Sequence, residues 1–203
     1  MSVLSLRERN KQDKRHRIKV AAEQLFTEKG FDSATTRGIA DQAQVALSTL
    51  FLYATDKRDL LFLACNDELE KTTLDAIADV SSDAPLIDQF TVFFRHVYIH
   101  FGRNKRLSRD FLRELTFYTT GKNNARYLQI RERTIAEIHK LVRNAKQSGE
   151  IAATIDDAIV AQMIFFLVAA DLRRWLGDED STPENGVQYL RKMLEILFTG
   201  LSP

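Results

Sequence analysis

Apolar residues recur at spacings of three and four along most of this 203-residue chain, and few residues interrupt that pattern. The sequence contains only eight glycines and three prolines, which are the residues that most often end helices and form turns. No segment alternates apolar and polar residues in the way that is typical of a half-buried strand. We therefore predict an all-α protein of about nine helices.

Residues 1–60 predict three helices, of which the last two are short. An apolar face favours a first helix over about residues 15–29, and Gly30 suits the left-handed position that follows a helix. Thr35 is a good N-cap for the second helix. A turn at residues 44–45 then leads into a third helix over about residues 47–53. Two short helices joined by a tight turn can place one helix in the major groove of DNA.

The positive charge of the chain is concentrated in this same region. Residues 1–60 hold eleven Lys/Arg against eight Asp/Glu, a net charge of +3, although the whole chain carries only +1. Seven of those cations lie between Arg7 and Lys19, in an arm whose acids are Glu8 and Asp13. Such an arm either follows the minor groove or the phosphates of DNA, or forms a disordered, solvated tail.

The spacing of particular residues between positions 17 and 60 is more specific than the helical pattern alone. The residues concerned are Ala22, Leu25, Phe26, Gly30, Phe31, Thr35, Ile39, Ala40, Val45, Thr49, Leu50, Phe51, Lys57 and Leu60. This pattern resembles the N-terminal domain of the tetracycline-repressor (TetR) family of transcription regulators. The competing interpretation of the same residues is a packed helical hairpin that has no DNA-binding role.

The resemblance implies which side chains meet DNA. Those implied to contact base edges are Arg37, Leu47, Ser48 and Thr49, and those implied to contact phosphates are Thr35, Phe51, Tyr53 and Lys57. Side-chain chemistry agrees at several positions, because Arg37 can pair with guanine through two hydrogen bonds and Leu47 suits the methyl group of thymine. Lys57, at the start of a helix, adds positive charge where anions already bind well.

Three positions depart from the pattern of that family. Gln44 occupies a turn position where the family usually has glycine, and a left-handed conformation there costs roughly 1 kcal/mol. Ala46 replaces the usual serine N-cap of the third helix, a loss of about 1 kcal/mol. Ala54 replaces a bulky aromatic residue behind that helix. We expect the same fold with a more loosely held recognition helix.

The sequence predicts two domains that join at residue 57. Residues 1–56 are expected to form the basic arm and the helix-turn-helix DNA-binding domain, and residues 57–203 a helical ligand-binding and dimerisation domain. Within the second domain, residues 57–80 form a connecting helix that Asp56 caps. We expect this helix to shift when an effector binds.

Two predicted C-terminal helices carry apolar faces. The resemblance assigns them to a four-helix interface with a second subunit, and the residues predicted for it are Ile159, Met163, Phe166, Val187, Leu190, Leu194 and Leu197. A twofold dimer also suits a small DNA-binding domain, because it reads two half-sites. The alternative for the first of these helices is that it forms only the core of the monomer.

Aromatic residues are abundant in the C-terminal half, and the resemblance implies a pocket for a small molecule among them. The predicted lining residues are Phe94, Tyr98, Phe111, Tyr118, Tyr127, Phe166 and Trp175. For each of these residues, a place in the apolar core is the alternative.

The remaining features bound the class of function. The sequence has no Gly-rich phosphate loop, no HExxH motif and no nucleophile elbow, so we expect no enzyme activity, no cofactor and no metal. Cys65 is the single cysteine, and the N-terminus lacks the apolar segment of a secretory signal. These features favour a cytoplasmic protein without a membrane partner.

We predict a homodimeric, sequence-specific transcriptional regulator that binds a palindromic operator in double-stranded DNA. We expect its output to be repression, which an unknown small-molecule effector relieves. Two other classes remain open, namely an all-α ligand-binding or assembly protein with weak or lost DNA binding, and a small-molecule enzyme.

Overall fold

The structure, a computed structural model, describes residues 5–200. Over that range the chain forms nine α-helices and no β-strand, which confirms the predicted all-α fold. The helices are α1 (Leu6–Ser33), α2 (Thr36–Gln42), α3 (Leu47–Leu50), α4 (Lys57–Asp79), α5 (Leu86–Gly102), α6 (Lys105–Glu114), α7 (Lys122–Gln147), α8 (Asp157–Leu176) and α9 (Pro183–Thr199). No helix within residues 5–200 is long and apolar enough to cross a bilayer.

The first helix is longer than the apolar pattern predicts, because it includes the basic arm from residue 6 onward. Ser5 is its N-cap, and the Ser5 hydroxyl accepts a hydrogen bond from the Glu8 amide at 3.2 Å. The residues of this extension are mostly good helix formers, which extend a helix without needing an apolar face. Near the other end, Gly30 has φ 77° as expected for a helix stop, yet helical residues continue to Ser33.

The chain divides into two compact units. The N-terminal unit comprises Met1–Glu68 together with Arg106–Leu128, and the C-terminal unit comprises Leu69–Lys105 together with Gln129–Pro203. Helix α6 and the start of α7 therefore belong with the helices of the DNA-binding pattern, although they follow in sequence by about forty residues. The domain boundary at residue 57 stays a prediction.

The core of the N-terminal unit joins the predicted helix-turn-helix to later helices. Ile18, Phe26, Ile39 and Leu50 are fully buried between α1, α2 and α3. Around Phe62 of α4 stand three rings of the later segment, those of Phe111, Tyr118 and Tyr127, with ring centroids 5.4 to 5.5 Å from that of Phe62. Each such ring pair contributes about 0.5–1.5 kcal/mol to stability, in addition to the contribution of the apolar area that it buries.

The core of the C-terminal unit is built mainly on the packing of α5 against α9 and of α8 against α9. Helix α5 contributes five buried aromatic rings, namely Phe90, Phe93, Phe94, Tyr98 and Phe101. Trp175 of α8 packs edge-on against Tyr98, with centroids 5.1 Å apart. Gly186 of α9 lies so close to the Tyr98 ring that an added Cβ atom would overlap it.

Candidate DNA-binding site

The turn between α2 and α3 has the geometry that the sequence predicts. The Thr35 hydroxyl accepts a hydrogen bond from the Gly38 amide at 3.0 Å and so caps α2. Gln44 adopts φ 54°, the left-handed conformation that usually requires glycine. Ala46 precedes α3 with extended backbone angles and provides no side-chain cap. Ala54 is fully buried. The expectation of a weakly secured recognition helix rests on these three residues.

The recognition helix α3 is short, spanning Leu47–Leu50 rather than residues 47–53. Helical hydrogen bonding nevertheless continues beyond it, because the Phe51 amide donates to the Leu47 carbonyl at 3.2 Å and the Ala54 amide donates to the Leu50 carbonyl at 3.2 Å. Leu50 is fully buried and fixes this segment to the core.

The four residues predicted to contact base edges differ in their exposure to solvent. Arg37 and Ser48 are exposed, whereas Leu47 and Thr49 are half-buried. Arg37 lies at the start of α2 and Ser48 in α3, the two helices that the turn brings together. The segment therefore offers a guanidinium and a hydroxyl to solvent, both groups that hydrogen-bond to base edges. Their contact with DNA stays a prediction.

Most of the residues predicted to contact phosphates already form hydrogen bonds within the protein. The Thr35 hydroxyl already caps α2, and the Tyr53 hydroxyl donates to the Lys11 carbonyl at 3.3 Å. Phe51 is 40% exposed. The Lys57 ammonium donates to three backbone carbonyls, those of Phe31 (2.8 Å), Asp32 (3.2 Å) and Ala34 (3.2 Å).

Lys57 therefore has a structural role that the sequence did not reveal. An ammonium group has three protons, and three carbonyls at the end of α1 receive them. A cation at this end also complements the negative end of the helix dipole. Any phosphate that Lys57 contacts would have to share these protons, so its phosphate role stays a prediction that this geometry makes harder to satisfy.

The end of the recognition segment is held by residues that sequence reasoning missed. The Lys122 ammonium donates to the carbonyls of Phe51 (3.1 Å) and Leu52 (3.0 Å). The Asn123 side-chain amide donates to the Tyr53 carbonyl at 3.0 Å. These contacts attach the start of α7 to the last turn of the recognition segment. The interaction joins residues about seventy positions apart, so no local pattern in the sequence indicates it.

A buried carboxylate, Asp59, organises this attachment. It is fully buried, and its two oxygens accept hydrogen bonds from the backbone amides of Thr55 (2.8 Å), Lys122 (3.0 Å), Asn123 (2.8 Å) and Asn124 (3.3 Å). We call Asp59 and residues 121–124 the Asp59 cluster. Four amide donors compensate the loss of hydration of one buried charge.

Gly121, a member of the Asp59 cluster, lies close to both the Asp59 carboxylate and the hydroxyl of the neighbouring Tyr118. Gly121 has φ 105°, and an added Cβ atom would lie 2.5 Å from an Asp59 carboxylate oxygen and 2.6 Å from the Tyr118 hydroxyl. Only glycine fits that backbone and that space. The Tyr118 hydroxyl donates to both oxygens of Asp56, at 3.1 and 3.0 Å. Burial, followed by this hydrogen bond, raises the pKa of Tyr118 to about 12.

The residues predicted to line a ligand pocket fall into both units. Phe111, Tyr118 and Tyr127 belong to the N-terminal unit, and Phe94, Tyr98, Phe166 and Trp175 to the C-terminal unit. All but Tyr127 and Phe166 are buried, whereas Phe166 is 64% exposed. Their burial agrees with the core alternative, and their role in a pocket stays a prediction.

A buried polar pair accompanies the aromatic residues of the C-terminal unit. The Tyr98 hydroxyl donates to the carboxylate of Asp171, which is 4% exposed and also pairs with Arg174 at 2.7 Å. Burial first, and then the hydrogen bond to Asp171, raise the pKa of Tyr98 well above its usual value. This pair fastens α5 to α8 within the C-terminal unit.

The predicted dimer residues separate into an exposed set and a buried set. On α8, Ile159, Met163 and Phe166 are 57%, 48% and 64% exposed. Their spacing of four and three residues puts them on one face of the helix.

The buried set revises the expectation for α9. Val187, Leu190 and Leu194 are at most 4% exposed within the single chain, and Leu197 is half-buried. Spacings of three and four in α9 correctly indicated an apolar face, but that face packs within its own unit, chiefly toward α5. The large apolar side chains that α9 exposes are instead Tyr189 (46%) and Ile196 (77%).

Comparison with known proteins agrees with this geometry. A model of the family described as bacterial regulatory proteins, tetR family, matches residues 18–64, which contain most of α1, all of α2 and α3 and the start of α4. The HTH-type transcriptional regulator HbdR of Aromatoleum sp. (strain CIB) is 37% identical over 59 residues, a match that covers 29% of this chain and only 26% of that relative.

Three further similarities extend over almost the whole chain. The fatty acid metabolism regulator protein of Bacillus subtilis (strain 168) is 24% identical over 202 residues, covering 95% of this chain and 98% of that protein. The crystal structure of the transcriptional regulator FadR from Bacillus subtilis in complex with stearoyl-CoA superimposes with a TM-score of 0.73 at 21% identity, covering 92% of this chain and 98% of that one. FadR of Thermus thermophilus in complex with lauroyl-CoA gives 0.68 at 20% identity, covering 91% and 93%.

Proposed function

We propose that this chain is a homodimeric repressor of the tetR family of bacterial regulatory proteins, whose model matches residues 18–64, and that an acyl-coenzyme A thioester dissociates its operator complex. DNA binding belongs to the family, and the homodimer, the repression and the effector are the parts proposed. The observation that carries the proposal is the exposed pair Arg37 and Ser48 on the helix-turn-helix of residues 18–64. A guanidinium and a hydroxyl held on two adjoining helices can both reach base edges.

The proposed homodimer is supported by the exposed apolar face of α8. Ile159, Met163 and Phe166 together present three large side chains to water on one helix face. Burying such a face against a second copy gains roughly 25 cal/mol per Å² of apolar surface. A twofold arrangement would then present two recognition helices to half-sites about 34–36 Å apart, or a multiple of that distance.

The effector class comes from the relatives that match over the whole chain. Stearoyl-CoA and lauroyl-CoA are the ligands named for two structures of the same fold, and the Bacillus subtilis relative is named for fatty acid metabolism. The acyl chains of these ligands differ in length, so we propose the thioester class rather than one compound. Recognition of such a ligand requires an apolar lining for the chain and polar groups for the coenzyme.

An effector releases DNA only if it binds the DNA-free form more tightly than the DNA-bound form. Coupling of this kind typically changes affinity by roughly 5- to 150-fold. The hydrogen bonds of Lys122 and Asn123 to the recognition segment would give α7 a direct means of disturbing that segment. We therefore expect the complex with the effector to lose operator affinity within that range.

The test begins with duplexes that the protein selects from a random-sequence pool. Affinity for a selected duplex is then measured by fluorescence anisotropy with lauroyl-CoA, stearoyl-CoA, free coenzyme A and the free fatty acids. We expect the two thioesters to weaken binding and the separate halves to have little effect. Unchanged affinity with saturating thioester would refute the effector assignment alone.

Two other results bear on the remaining parts of the proposal. A monomer by analytical ultracentrifugation at the concentration of the binding assay would refute the homodimer. Failure to enrich any sequence would instead favour the helical ligand-binding protein with weak DNA binding. The strained backbone of Gln44 and the lack of a side-chain cap at Ala46 are consistent with that alternative.

A matched pair of variants tests the proposed dimer interface. Phe166→Glu should dissociate the dimer, whereas Phe117→Glu, which changes a 95% exposed ring of the N-terminal unit, should not.

A further inference from the structure

The helical extension of α1 forms one wall of a broad surface cleft in the N-terminal unit, with a volume of about 830 Å³. Arg7, Lys11 and Lys14 line it from α1, and Leu52 and Tyr53 line it from the end of the recognition segment. The Tyr53 hydroxyl donates to the Lys11 carbonyl at 3.3 Å, which holds the two walls together. The basic arm is thus fixed beside the recognition helix instead of trailing from it.

Six of the seven cations of the arm divide into two groups. Arg15 and Lys19 pair with Asp67, at 3.4 and 2.9 Å, and Arg17 pairs with Asp13 at 3.1 Å. These three therefore have acceptors within the protein. By contrast, no ion pair of Arg7, Lys11 or Lys14 occurs with any other residue among positions 5–200.

The unpaired group has the geometry of a backbone-binding surface. Arg7, Lys11 and Lys14 stand four and three residues apart, so they share one face of α1, which we call the basic face. From residue 7 to residue 14 a helix rises about 10 Å. One DNA strand carries roughly three phosphates over that axial length. Glu8 also lines the cleft, which leaves a net charge of about +2 there at neutral pH.

The cleft is continuous with the outward surface of the recognition segment. Leu52 is 71% exposed and stands four residues after the exposed Ser48, so the two side chains lie on the same side of that segment. A duplex that meets Ser48 would therefore extend past Leu52 toward the basic face. The three unpaired cations lie beside the predicted site of base contact. They therefore suit the phosphates of a DNA duplex that is already bound at that site.

We propose that the basic face is a second DNA-binding site, which holds the phosphate backbone of base pairs that flank each half-site. This inference rests on the proposed operator binding and adds a sequence-independent contact to it. The occupant is one strand of B-form DNA, recognised by charge and spacing alone. The longer footprint that results increases affinity without changing which bases are read.

The test compares two variants that each remove three positive charges. One is Arg7→Gln with Lys11→Gln and Lys14→Gln, because glutamine keeps helix propensity and removes charge. The matched control is Lys71→Gln with Arg131→Gln and Lys192→Gln, three exposed positions of the C-terminal unit. Dissociation constants are measured for the full-length proteins on a selected duplex between roughly 50 and 200 mM salt.

Each phosphate contact contributes about 0.9 to the slope of log affinity against log salt. We expect the basic-face variant to lose about 5.4 from that slope, because the dimer has two basic faces with three contacts each, whereas the control keeps the slope of the unmodified protein. Over a fourfold change of salt, the unmodified protein should accordingly lose about 2,000-fold more affinity than the basic-face variant. Trimming the flanking base pairs from the duplex should produce the same loss of slope in the unmodified protein.

A gain of affinity separates this inference from simple damage to the helix. Glu8→Gln removes the one acid that lines the cleft, so it should tighten DNA binding a few-fold. Equal slopes for the unmodified protein and the basic-face variant, with unchanged helicity by circular dichroism, would overturn the second site and leave operator binding intact. Failure of the unmodified protein to select any duplex would overturn both.

Discussion

Asp59 of the N-terminal unit and Asp171 of the C-terminal unit are both buried almost completely, and the two carboxylates are held by different means. Asp59 of the N-terminal unit accepts four backbone amides, three of them from the start of α7. Asp171 of the C-terminal unit accepts two side-chain donors, the Tyr98 hydroxyl and the Arg174 guanidinium. Backbone donors cannot rotate away, whereas side chains can adopt other rotamers. The comparison teaches that the buried carboxylate of the N-terminal unit is fixed by main-chain donors, and that of the C-terminal unit by side chains that can change rotamer.

The surfaces of the two units differ in a matching way. The outward groups of the N-terminal unit are Arg37, Ser48 and the basic face, which suit a polyanion. The exposed face of α8 is apolar, which suits a second protein surface. A rigid main chain benefits the first surface most, because hydrogen bonds to bases require accurate placement.

The largest difference between the units is expected from neutralising each carboxylate. In Asp59→Asn, an NH2 group replaces an oxygen that accepts hydrogen bonds from two backbone amides. The NH2 group cannot accept these hydrogen bonds, so two backbone donors are left unpaired in the core. We expect the free energy of unfolding to fall by about 3 kcal/mol or more. Asp171→Asn keeps an acceptor for Tyr98 and loses mainly the Arg174 pair, at a cost of about 1 kcal/mol. Urea titration of both variants measures the difference, and equal losses would break the comparison.

A second contrast concerns one glycine in each unit. Gly121→Ala forces a side chain into φ 105° and against the Asp59 carboxylate, so we expect a loss of about 2 kcal/mol or more. Gly186→Ala presses a methyl group against the Tyr98 ring within a regular helix. The gain in helix propensity offsets part of that overlap, leaving a loss of about 1 kcal/mol. Thermal unfolding should rank them in this order, and the reverse ranking would mean that α9 cannot shift away from α5.

The two hydrogen-bonded tyrosines, Tyr118 and Tyr98, should give a smaller effect on the free energy of unfolding, and this effect depends on pH. Both phenols have raised pKa values in the folded protein, so the folded state keeps protons that the unfolded state releases. Stability from Tyr118 is complete below pH 10, the usual pKa of tyrosine, and declines as the pH rises toward 12. Tyr118→Phe should flatten the fall of unfolding free energy in that interval, whereas Tyr98→Phe should also flatten it above pH 12. Parallel curves for the two variants would show that the phenols do not differ.

The smallest expected effect is a gain in stability at the helix-turn-helix. In Gln44→Gly, a glycine adopts the left-handed backbone conformation of position 44 without the strain that a side chain causes. This change should raise the free energy of unfolding by about 1 kcal/mol. Ala46→Ser adds the missing cap of α3 and should contribute about 0.5–1 kcal/mol more. Chemical denaturation of the single and double variants measures both gains. No gain in the double variant would mean that the recognition helix is not loosely held.

Local features of this chain could be predicted from sequence because each depends on neighbouring residues. The Thr35 and Asp56 caps, the positive φ of Gly30 and the strain at Gln44 are all confirmed by the structure. Each involves a hydrogen bond or backbone angle within about four residues, where residue type decides conformation.

Features that depend on distant pairing could not be predicted. The Asp59 cluster joins α4 to residues beyond position 120, and nothing near Asp59 distinguishes it from an exposed acid on a helix. The pattern of α9 indicated an apolar face but not which neighbour covers it. The helical form of the basic arm was missed because apolar spacing cannot indicate a helix whose residues are nearly all polar.

The most direct test of the central claim is the set of sequences that the protein selects from a random duplex pool, compared with the set selected by Arg37→Ala. We predict a palindromic consensus for the unmodified protein and, for the variant, relaxed preference at one base pair in each half-site, at a cost of about 1–3 kcal/mol there. An identical consensus for both proteins would contradict the assignment of Arg37 to base recognition, and no consensus for either would contradict that of Arg37, Leu47, Ser48 and Thr49 together.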